Sequence, residues 1–131
     1  MSENLICEAV GDKIRVVRFL RPDVRPALYH EGHEHADITG SDLYLELHRL
    51  ALADLPTGGA VILNFGHIDA FSSAFYRLLL KTLQDVRAKG GRLLLCCFTD
   101  YMKEAYAVMG GPRTFEPVHP TEARAVQAAG K

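Results

Sequence analysis

The chain has no apolar run approaching the roughly 20 residues needed to cross a bilayer, which excludes a membrane-spanning helix from its expected plan. It has no Lys/Arg-rich run, and its formal net charge is −1, so it carries no electrostatic footprint for nucleic acid. The amino-terminal stretch MSENLICEAVGDK lacks a basic region followed by an apolar one, so no secretory signal is read there. Cysteine is scarce: Cys7, Cys96 and Cys97 are all there are, and two of them are neighbours in an apolar run. That is a poor disulfide arrangement, and it predicts reduced thiols in a cytoplasmic protein. Gly58-Gly59, Gly90-Gly91 and Gly110-Gly111 lack the spacing of a phosphate-binding loop and read as turns and caps. The G-x-S-x-G elbow of the hydrolases is missing as well.

What is present is ordinary for a globular domain: 131 residues, 48% hydrophobic and 24% charged, enough for one domain over 1–131 with a real core. LICEAV (Leu5–Val10) and KIRVVRFL (Lys13–Leu20) are β-branched runs joined across Gly11-Asp12, which predicts an antiparallel hairpin. RPDVRP then argues against regular structure, and the polar stretch Tyr29–Gly40 reads as a loop. Ser41 caps a predicted helix, SDLYLELHRLALADL, with Leu43, Leu47, Leu50 and Ala51 on one face. AVILNF (Ala60–Phe65) is apolar everywhere except Asn64, the pattern of a strand covered on both sides, and RLLLCCF (Arg92–Phe98) is a second. Between them, Phe75, Leu79, Leu83 and Val86 recur at helical spacing over Ser72–Lys89, with Gly90-Gly91 as the stop. A helix over Asp100–Met109, a short strand at RTFEPV and a helix at TEARAVQAA complete the reading. Strands alternating with helices predict an α/β fold: a mixed, mostly parallel sheet of about five strands covered by about four helices.

The paired serines Ser72 and Ser73 fall where a strand's carboxyl-end loop becomes a helix. In open α/β sheets that edge is where ligands and partners are met. A serine there caps the helix by default, and the same exposed N–H groups would stabilise a phosphate on it. His67 and Asp69 lie nearby in sequence, but geometry and not proximity defines a catalytic triad. The stretch HEGHEHAD offers His30, His33 and His35 as imidazole ligands, so a metal- or small-ligand sensor is the alternative reading. It matches no established ligand spacing, and tight metal binding is not expected. Strand alternation predicts that the Cys96 and Cys97 thiols point to opposite faces. Arg15, Arg18, Arg21 and Arg25 read as scattered surface residues.

The ordered combination in AVILNFGHIDAFSSAFYRLLLKTLQDVRAKGGRLLLCCFTDYMKEAYAVMGG resembles the STAS domains, the anti-sigma factor antagonists and their relatives. The resemblance runs from about Ile14 to about Ala128, with Ala60–Gly111 its most specific part. It implies a non-enzymatic, cofactor-free regulatory module in a bacterial partner-switching pathway. Its partner would be a protein, of the kind of a serine-kinase-type anti-sigma factor. The partner surface implied is the loop and helix start at Asp69, Ser72, Ser73, Ala74, Phe75 and Tyr76. Regulated family members commonly read Asp-Ser-Ser-Gly-Leu there, with the second serine phosphorylated. An ungapped alignment places Ser72 at the aspartate, Ser73 at the first serine and Ala74 at the acceptor, with Phe75 and Tyr76 replacing glycine and leucine. A slip of one residue would restore Ser73 as the acceptor.

Overall fold

A computed structural model describes residues 4–24, 41–69 and 71–130. The strands are β1 (Leu5–Val10), β2 (Ile14–Phe19), β3 (Ala60–Asn64) and β4 (Arg92–Cys96). They lie in the sheet in chain order, β1-β2-β3-β4. β1 pairs antiparallel with β2, as the Gly11-Asp12 turn predicts, while β2, β3 and β4 run parallel. The helices are α1 (Asp42–Leu47), α2 (Ser73–Ala88), α3 (Asp100–Val108), α4 (Gly111–Thr114) and α5 (Glu122–Ala129).

Alternation along the strands sorts side chains between two cores. Val17, Phe19, Val61, Leu63, Leu93 and Leu95 enter the larger one, with Leu47 of α1, Leu79 of α2 and Met102 of α3. Val16, Ala60, Ile62, Leu94 and Cys96 face the other way, onto Ala125 of α5. β3 is therefore covered on both faces, as its unbroken apolar run requires. The α2 periodicity is borne out: Phe75, Leu79 and Val86 are fully buried and Leu83 nearly so.

Three details depart from the sequence reading. α1 is capped by Ser41, whose Oγ accepts from Tyr44 N, but from His48 to Leu52 the helix widens into a π-helical turn. There Ala53 N donates to His48 O at 2.8 Å, and Lys89 Nζ donates to Leu52 O. The expected strand at RTFEPV does not form. Pro112 lies in the first turn of α4, and the chain rejoins the sheet only at His119, which bridges β4 by accepting from Cys97 N at 3.0 Å and donating to Leu95 O at 2.9 Å. Pro117 and Pro120, without N–H groups, flank His119 and keep the ladder to a single residue, so among the described residues the sheet has four strands. The third departure is the backbone at Cys97, described below.

The glycine pairs that separate the elements meet in space. Gly58 N donates to Lys89 O at 2.9 Å and Arg92 N donates to Gly59 O at 3.0 Å, clamping the entries of β3 and β4.

Candidate functional site at the carboxyl edge of the sheet

The loop that leaves β3 is held from below by aromatic packing. Phe65 packs against Phe19, Phe75 and Phe98, with ring centroids 5.1, 5.6 and 5.2 Å away. Phe71 turns back from the loop into the same cluster, stacked on Phe75 at 5.8 Å with planes 14° apart. Ile68 is buried too, and its N–H donates to Phe65 O at 3.0 Å. With Ile68 and Phe71 as anchors, the residues between and beside them are left outward: Gly66, His67 and Asp69 are exposed.

Ser72 and Ser73 divide their roles at the start of α2. Ser72 has extended backbone and its Oγ accepts from Phe75 N at 3.2 Å, so Ser72 is the cap. Ser73, the first helical residue, is exposed. Ala74 and Tyr76 are half-buried, whereas Phe75 is wholly inside the core. The expectation that Phe75 helps form the surface met by a partner is thus corrected: its spacing with Leu79 and Leu83 directs it inward. Among the described residues, no hydrogen bond links Ser72 to His67 or Asp69, so these residues do not form a triad. His30, His33 and His35 lie outside the described residues. Within them, no group of three His, Cys, Asp or Glu side chains is placed to hold a metal ion.

Sequence reading missed a polar clamp beside this loop. Glu122, at the start of α5, accepts from Arg18 Nε at 2.8 Å and from Arg18 Nη2 at 2.7 Å, and Arg18 also reaches Glu8 at 3.2 Å. Asn64 joins the clamp to the loop: its Nδ2 donates to Glu122 Oε1 at 3.0 Å, and its Oδ1 accepts from Gly66 N at 2.8 Å. Arg18 is therefore a structural tie and not a scattered surface charge. The signal for this was Asn64, the single polar position in AVILNF.

The Arg18 hydrogen bonds, aided by Asn64, hold the Glu122 carboxyl below its ordinary pKa, and Arg92 does the same to Glu116. A carboxyl depressed in the folded state contributes stability above its unfolded pKa and loses it as pH falls. The contribution of both is expected to be full above about pH 5 and to decline below the unfolded glutamate value of about 4.3. Urea unfolding at a series of pH values checks this. The double variant Glu116→Gln/Glu122→Gln should show a shallower fall of the midpoint on acidification, and an unchanged slope would refute the assignment.

At the end of β4, Cys97 has φ 67°, the left-handed region that non-glycine residues seldom occupy. This turn breaks the alternation, and Cys97 packs with Cys96 against the α5 side of the sheet, correcting the expectation of opposite faces. Burial, with the neighbouring Cys97 thiol, pushes the Cys96 thiol well above its usual range.

An α/β domain with a four-stranded, mostly parallel sheet and a helix start presented at its carboxyl edge is the class so defined. A STAS domain family model matches residues 31–125, and the chain belongs to that family. The fold is shared with solved structures of low sequence identity. The Thermotoga maritima protein TM1081 superposes with a TM-score of 0.69 at 12% identity, over 97% of this chain and 95% of that one. An anti-sigma-factor antagonist (STAS) domain protein from Planctomyces limnophilus gives 0.65 at 19%, over 97% and 98%. The anti-sigma factor antagonist SpoIIAA in its unphosphorylated form gives 0.64 at 18%, over 95% and 94%. No curated protein sequence matches the chain significantly. Among the described residues no helix is long and apolar enough to cross a membrane.

Proposed function

We propose that this STAS domain is a cytoplasmic regulatory module of a bacterial partner-switching pathway, which acts by binding another protein and not by catalysis. Its docking surface is the exposed loop through His67 and Asp69 together with the first turn of α2. Its partner is an anti-sigma factor of the serine-kinase type. The observation that carries this reading is the division of labour between the serines: both are exposed, but the Ser72 hydroxyl is engaged as the cap, which leaves the Ser73 hydroxyl to take a phosphate where the helix N-terminus favours negative charge. Ala74 has no hydroxyl, so Ser73 is the acceptor through which phosphorylation would switch binding. SpoIIAA, which shares the fold, has been solved in both unphosphorylated and phosphorylated forms.

The test compares Ser73→Asp and Ser73→Ala against a serine-kinase-type anti-sigma factor from the native host. Because Ser73 is not the cap, Ser73→Ala should change stability by no more than about 0.5 kcal/mol and leave affinity intact. Ser73→Asp should fold at least as well as the parent, since a carboxylate suits the first helical turn. It should still bind at least about tenfold more weakly, because a charge is placed in the interface without a counter-charge. Equal affinity of both variants and the parent would remove this loop from the interface. Failure of the parent itself to bind any such factor would sink the partner assignment.

A further inference from the structure

An open groove of about 910 Å³ lies where β4 meets α5. Arg92, at the start of β4, and His119, which bridges the end of that strand, form one side, and Arg124, Gln127 and Ala128 of α5 form the other. The volume is within the range of small-molecule sites, about 300–1,000 Å³. Among the described residues no carboxylate lines it. Every polar side chain in the wall can donate: the two arginines are donors only, and Gln127 and His119 each carry N–H groups.

The two arginines differ in what is already bound to them. Arg92 is fixed in place, donating to Glu116 through Nε at 3.0 Å and Nη2 at 2.5 Å, and to Ala128 O through Nη1 at 2.9 Å. These bonds leave one free N–H on each terminal nitrogen, and the side chain remains 38% exposed where it lines the groove. Arg124 is exposed, and among the described residues no hydrogen bond or ion pair engages its guanidinium. His119 is half-buried, and its backbone is tied to β4 through Leu95 O and Cys97 N, so its ring stands on a rigid base. Glu116 is already neutralised: Arg92 above all, with His119 and Arg87, holds its carboxyl below the usual range. Arg124 therefore leaves the groove with an excess of positive charge.

The spacing of donors over both sides favours an anion with acceptors in several directions. A carboxylate offers two oxygens in one plane, whereas a phosphate is tetrahedral and can accept from both arginine forks and from His119 together. We propose that this groove binds the phosphate group of a small molecule, held between the fixed guanidinium of Arg92 and the unengaged one of Arg124. None of its lining residues belongs to the loop assigned to the protein partner, and the inference does not rest on that assignment.

Glycerol 3-phosphate, inorganic phosphate, acetate and uncharged glycerol serve as probes of the isotope-labelled full chain, followed by amide chemical shifts. Ionic strength is held at about 0.15 M, so that diffuse attraction to surface charge is screened. Both phosphates should shift residue 92 and residues 119–128 saturably, and acetate should bind at least about tenfold more weakly. Glycerol should cause no shift. Tighter binding of glycerol 3-phosphate assigns the site to a phosphate ester, and equal binding assigns it to the free ion; either supports phosphate recognition. Arg124→Gln should keep the melting temperature of the parent, since the side chain it removes has no partner, and should weaken both phosphates at least about tenfold. Arg49→Gln removes an equally exposed charge from the α1 side of the sheet and should leave binding unchanged. No saturable shift with either phosphate would overturn the proposal, as would equal binding of acetate. Equal weakening by Arg49→Gln and Arg124→Gln would overturn it too, by showing that net charge and not the groove attracts the anion.

Discussion

Gly91→Ala is expected to destabilise the domain by about 3 kcal/mol, far more than an alanine at most glycines would. A Cβ on Gly91 would sit 2.3 Å from the carbonyl oxygen of Gly59 and 3.1 Å from Val86 Cγ1. The first contact is with backbone, and the backbone there is fixed: Gly59 O accepts from Arg92 N, and Gly91 N donates to Val86 O at 3.0 Å. Relief requires separating the entries of β3 and β4 or pulling β4 from the end of α2, so it breaks ladder hydrogen bonds along with packing. Gly11→Ala is the control. Gly11 has φ 67° and nothing within 4 Å of an added Cβ, so only backbone strain is incurred, about 1 kcal/mol. Urea unfolding followed by circular dichroism distinguishes the two, and equal midpoints for both variants would contradict the interlock.

Phe71→Ala is expected to cost about 3–5 kcal/mol, the range for removing a buried aromatic ring. Phe71 is 4% exposed and lies 5.8–6.4 Å, centroid to centroid, from Phe65, Phe75, Tyr76, Phe98 and Tyr106. No neighbouring side chain can collapse into the space without giving up its own contacts, so the cavity term should be near its upper end. The effect should not be confined to stability. Phe71 is the last anchor before Ser72, and its loss frees the exposed loop from the core. Amide exchange at residues 66–69 should therefore accelerate by more than the global loss of stability explains. Phe71→Leu, which keeps an apolar anchor, should retain most of the protection. Uniform acceleration across the domain would mean that the ring stabilises the fold but does not position the loop.

The elements with long, clean periodicity were legible in the sequence: the Gly11-Asp12 hairpin, the doubly covered β3 and the buried stripe of α2. Each is set by interactions within a few residues or by burial alone. What escaped depends on pairs distant in the chain. Arg18 and Glu122 are 104 residues apart, and nothing local announces that a charge on β2 will meet the first turn of α5. The strand expected at RTFEPV does not form because Pro117 within it and Pro120 just beyond it lack the N–H groups that a ladder needs. Cys97 escaped because a left-handed backbone at a non-glycine residue has no compositional signature. For the candidate site, the position of the serines at a helix start was readable, but which of them caps was not. Adjacent serines are chemically identical, and the choice is made by backbone direction where the chain leaves the core after the buried Phe71.

The order of strands across the sheet is the order in which they are synthesised. On a ribosome adding about 5–20 residues per second, each new strand therefore meets its finished neighbour already in place, and none has to be threaded between two others. The hairpin of β1 and β2 can form first, β3 then docks onto β2, and β4 onto β3. The cost of this simple sequence falls on one side of the sheet. Val16, Ile62 and Leu94 stay uncovered while the nascent chain grows, until the segment carrying Ala125 emerges and Glu122 reaches Arg18. α5 is thus the element that closes the interval in which the young sheet is open to chaperones, proteases and other unfinished chains.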